Sequence, residues 1–143
     1  MTVPSKTLGW RLLSLMVGGL LFIWLTLEDT QLLPIILLVL LATSIWVLNP
    51  LMQRFAGQSI SPTKFILAMA LLGALIGAGT VILTTIMMFL KTAWHSHLFP
   101  DYPAPMMVAM FQRLPLWTVA GALLGISFGL YSWAIYGVSG DRA

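Results

Sequence analysis

The densest group of chemically able side chains is Trp94-His95-Ser96-His97, followed by Asp101 and by methionines at 106, 107 and 110. Histidine is the commonest metal ligand and can also hold the magnesium of a chlorin, which makes His95 and His97 the candidate metal or pigment ligands. Their spacing works against a shared ion. Residues two apart point to opposite sides of a strand and stand about 200° apart on a helix, so one metal would need an irregular turn. A plain interfacial loop of amphipathic side chains accounts for the same residues, and no cofactor is specified by them.

Little else could do chemistry. The 143 residues include two histidines, four acidic residues and no cysteine, which removes thiolate metal sites, cysteine nucleophiles and disulfides. No HExxH, P-loop, Ser-His-Asp set or paired carboxylate occurs, and the sequence is read as that of a non-enzyme. Seven lysines and arginines give a net charge of +3, but they are scattered singly instead of lying on one face, so nucleic acid is not an expected partner.

The elements that must position these residues follow from hydropathy. Fifty-nine per cent of the chain is hydrophobic and 8% charged, with a mean hydropathy of +0.98. A soluble domain carries roughly 25% charged residues, and long uninterrupted apolar runs are the pattern that lipid requires. The chain reads as an all-α integral membrane protein, one transmembrane domain over residues 1–143, with four spans at about 12–27, 32–48, 65–90 and 114–136. Glu28-Asp29-Thr30-Gln31 makes the first two a tight antiparallel hairpin. Asn49-Pro50 is expected to end the second helix. Ser61-Pro62-Thr63 reads as the cap and first turn of the third. Residues 91–113 form the longest connection. Within it Met106 to Phe111, between Pro105 and Arg113, is expected to be a short helix lying along the membrane surface. The bulky Leu21 to Leu25 run argues against cleavage of the first span as a signal peptide.

With the N-terminus cytoplasmic, Lys6, Arg11, Arg54, Lys64 and Arg142 fall inside while Lys91 and Arg113 fall outside, which favours that orientation. In this reading no ionisable residue occupies the middle of a span, which disfavours a pump or secondary transporter. The hydroxyls at Thr43, Ser44, Thr80, Thr84, Thr85 and Ser127 are expected to bond back to their own helices. No internal repeat is evident.

The clearest motif is Gly121, Gly125 and Gly129 at every fourth position of the fourth span, with Gly73 and Gly77 on the third. Such faces allow close backbone approach between helices in lipid, against each other or against another protein. Smallness, scant chemistry and these faces lead to the expectation of a non-catalytic accessory or assembly subunit of a membrane complex, in a bacterial inner membrane or a thylakoid. A small oligomeric carrier, channel or transporter component is the alternative, and a pigment- or metal-binding protein the third.

Overall fold

A computed structural model of the chain describes residues 8–27, 30–54, 60–95 and 100–137. The described part holds five helices and no strand: α1 (Leu8–Thr26), α2 (Leu32–Arg54), α3 (Pro62–His95), α4 (Ala104–Phe111) and α5 (Leu114–Gly137). Four stretches are long and apolar enough to cross a membrane: Gly9–Thr26, Leu32–Pro50, Pro62–His95 and Ala104–Ile135.

Two boundaries and one helix path differ from the sequence reading. Helix α2 does not stop at Asn49-Pro50 but runs through Pro50 to Arg54. A proline inside a helix removes one hydrogen bond and crowds the carbonyl four residues back, here Trp46, and a helix free on one side can absorb that by bending. Helix α3 continues past Leu90 to His95, which brings Lys91 into its last turns. The next strong breaker is Pro100, and nothing between the two forbids helix.

The third difference is the path of α4. The short helix is present, entered from an extended Pro103 with a proline in its first turn, but it runs beside α3 instead of across its end. Moving forward along α3 from Met69 to Gly73 to Gly77 moves back along α5 from Gly125 to Gly121 to Trp117. Fifteen residues further along α3, Thr92 accepts a hydrogen bond from the Tyr102 N–H, fifteen residues before Trp117. A single antiparallel register therefore covers α5, α4 and the segment before them. The break at Gln112-Arg113 has a local cause, since Pro115 has no N–H to give the Phe111 carbonyl and its ring crowds that group, and α4 ends at Phe111. Backbone bonds from Gln112 N–H to Val108 O and from Trp117 N–H to Arg113 O carry the chain across the break.

The core is lopsided. Val17, Leu21 and Trp24 of α1, Ile35, Val39, Ala42 and Ile45 of α2, Val81, Met87 and Met88 of α3, and Tyr102 and Met110 form its buried cluster. No α5 residue belongs to that set, and only Leu114 and Trp117 reach its edge. Helix α5 packs almost wholly on the first half of α3, while α1, α2 and α4 gather around the second half.

Candidate functional site

Every glycine of the two spaced faces lies at the α3–α5 seam. A methyl group built at Gly73 would overlap the carbonyl oxygen of Gly121, and one at Gly121 would overlap that of Gly73. Gly77 stands likewise against Trp117 O, and Gly125 against Met69 O. At Gly129 the nearest atom, Ile66 Cα, would lie 3.0 Å away. The two glycine faces are thus occupied by each other within one chain, and any partner must use another surface.

Such a surface exists where α2 and α5 flank α3 without closing over it. The groove between them has a volume of about 770 Å³, with Gly73 and Gly77 in its floor, Leu40 and Leu48 on one wall, and Leu116 and Leu124 on the other. Its lining is apolar apart from the Trp117 indole N–H and Ser44, whose hydroxyl donates to Leu40 O at 2.7 Å. It offers shape and dispersion contact, with almost no hydrogen-bonding capacity of its own.

Arg113 lies in the break before α5, three and four residues ahead of the groove-lining Leu116 and Trp117, and its carbonyl accepts the Trp117 N–H. It is exposed and forms no ion pair among the described residues. The α3–α5 register sets it, one turn before Trp117, level with about Thr80. The Thr80 hydroxyl is 3.0 Å from that of Thr43, which is close to the midpoint of the candidate span Leu32–Pro50. Arg113 is therefore level with the middle of α2. On insertion scales an arginine at a helix centre costs about 2.5–3.5 kcal/mol unless it is compensated.

At the other end of α3 a second polar cluster is fully enclosed. Lys91 is 0% exposed, and its Nζ lies 4.0 Å from the centroid of the Trp24 ring and 3.4 Å from the Trp24 carbonyl oxygen. Trp24 is stacked in turn on Tyr102, with centroids 6.3 Å apart. That carbonyl belongs to the last turn of α1, so the ammonium meets the negative end of α1 close to the C-terminus of its own helix. Two helix ends, a cation–π contact and a carbonyl explain why a lysine can be buried here. The arrangement ties α1 to α3 and the α4 entry, and exposes no ammonium to a substrate.

His95 Nδ1 is 2.5 Å from Asp101 Oδ2, which links the end of α3 to the segment before α4. His97 lies outside the described residues. Among the described residues no three His, Cys, Asp or Glu side chains gather as a metal site would require. The hydroxyls of Thr43, Ser44, Thr80, Thr85 and Ser127 donate to carbonyls one turn back, and Thr43 and Thr80 also join α2 to α3, whereas Thr84, expected to do the same, has its hydroxyl buried with no partner among the described residues. Lys91 and Arg113 are the residues that sequence reasoning missed, because both were assigned to the connection between spans. The proline positions carried the available signal: none stands between Leu90 and Pro100, and Pro115 places the break just before α5.

No protein-family model matches the chain, and neither a curated protein nor a solved structure is significantly similar to it. What the protein does must be argued from its own geometry.

Proposed function

We propose that this chain is a non-catalytic accessory or assembly subunit of a larger membrane complex, seated against its partner through the groove between α2 and α5. The observation that carries the proposal is the open side of the bundle. Helix α5 rests almost wholly on α3, most of its apolar surface is exposed, and an apolar groove runs beside it. Lipid can cover such a face, but a helix laid in an apolar groove between two others adds packing that lipid chains do not match.

The membrane is proposed to be a bacterial inner membrane or a thylakoid, with both termini cytoplasmic on the distribution of basic residues. The absence of native cysteine makes orientation directly measurable by single-cysteine labelling. The chief test is recovery of the chain, tagged and expressed at its native level, from membranes solubilised in a mild detergent. A stoichiometric membrane partner is expected, and a monodisperse monomer with none would sink the proposal.

One observation favours a second reading, a small oligomeric carrier or channel component: Arg113 supplies an ionisable group level with the middle of a span. That reading calls for flux in reconstituted vesicles that Arg113→Leu abolishes. Equal leak with and without protein would remove it.

A further inference from the structure

An exposed arginine level with the middle of a membrane span needs a counter-charge, and the sequence limits where that charge can originate. The four carboxylate residues of the chain are Glu28, Asp29, Asp101 and Asp141. Glu28 and Asp29 fall between α1 and α2, Asp101 lies before α4 and is bonded to His95, and Asp141 follows α5. None lies within any of the five helices. A second copy of this chain could therefore dock its apolar surfaces here but could not bring a carboxylate to the level of Arg113 from one of its spans.

We propose that the groove between α2 and α5 receives a transmembrane helix of a different protein, and that a glutamate or aspartate near the middle of that helix pairs with Arg113. The inference rests on the accessory-subunit reading and names the chemistry of the partner. Charge complementarity selects this occupant over a lipid. An anionic headgroup resides at the interface, roughly 15 Å from the centre of a hydrocarbon core of about 30 Å, whereas Arg113 is level with Thr43 and Thr80. The groove is largely apolar along the turns that follow Arg113, with the Ser44 hydroxyl already donating to Leu40 O. An entering helix thus finds one charged determinant, Arg113, one turn before the groove-lining Trp117. In lipid an unpaired charge at this depth is costly, and arginine binds a carboxylate with two parallel hydrogen bonds. One pair can then decide which helix is accepted and at what height it sits.

The test uses the full chain in vesicles of zwitterionic lipid with synthetic leucine-rich transmembrane peptides carrying Glu, Gln or Leu at the centre. Association is read by energy transfer between labels on the chain and the peptide. The Glu peptide is expected to associate about tenfold more tightly than the Gln or Leu peptide, with Arg113→Leu abolishing the preference and Arg113→Lys retaining part of it. Equal binding of the three peptides would overturn the proposal, as would a preference that survives in Arg113→Leu. Displacement of the Glu peptide by anionic lipid, at concentrations where zwitterionic lipid has no effect, would assign the arginine to a headgroup and also overturn it. Arg113→Gln, closer in shape to the native side chain, serves as the second variant if Arg113→Leu does not fold. Native partners that co-purify undiminished with Arg113→Leu would leave the accessory reading standing and remove this inference alone. Their absence from the wild-type chain would remove the accessory reading itself.

Discussion

The two halves of α3 are held by different means. In the first half, from Pro62 to about Thr80, one neighbour approaches until backbone meets backbone, and the contact depends on side chains that are absent. In the second half, up to His95, three elements cover one face of the helix with large side chains and polar pins: Thr43 on Thr80, Trp24 on Lys91, Tyr102 on Thr92 and Asp101 on His95. The first half is tight and one-sided, and it leaves a groove. The second is packed on one face and leaves Phe89 and Trp94 exposed on the other, and within the packed face Trp24 Nε1 and Thr84 Oγ1 are buried with no hydrogen-bond partner among the described residues. The contrast shows two ways of joining helices whose apolar surfaces gain little from meeting in lipid: close approach, and polar groups that are costly to leave apart.

The largest effect should come from adding atoms to the seam. Gly73→Val places carbon atoms where the Gly121 carbonyl already is, so α5 must separate from α3, at a cost of about 3 kcal/mol in unfolding measured in detergent. A variant as stable as the wild type would mean that α5 does not pack where the structure puts it. Next is Lys91→Met, which keeps much of the volume and removes the charge. Loss of the cation–π contact and of the dipole interaction should cost about 1–2 kcal/mol and change the Trp24 fluorescence. An unchanged spectrum would separate Lys91 from the ring. Smaller still, the double-mutant cycle of Thr43→Val and Thr80→Val should give a coupling of about 0.6 kcal/mol, and zero coupling would break the proposed α2–α3 pin. The smallest effect is the control. A methyl at Gly79 meets only Thr43 Cγ2 at 3.4 Å, so Gly79→Ala should stay within about 0.5 kcal/mol of wild type by the same unfolding measurement. A loss as large as that at Gly73 would show that any glycine replacement is harmful and would dissolve the contrast.

Much of the scaffold was legible because its signals are local to the chain. Apolar runs marked the four candidate spans, Glu28-Asp29 the tight hairpin, Ser61-Pro62 the start of α3, and the spacing of four the glycine faces. The site was less legible. Lys91 and Arg113 look alike in the sequence, each a lone cation at the edge of an apolar run, yet one is enclosed and the other is exposed in the break before α5. Nothing local separates them, because burial depends on which helix end arrives beside each.

What the sequence determined by itself was the number, length and apolar character of the helices, together with the faces where backbones could come close, since these follow from hydropathy, proline and glycine along one chain. What only the tertiary structure decided was register and inwardness. Leu71 is 60% exposed and its neighbour Leu72 is 5% exposed, although their chemistry is identical. In water the hydrophobic effect would mark the inward face with a polar opposite. Here both faces are apolar, so that mark is missing, and only packing against α1, α2, α4 and α5 chooses between them.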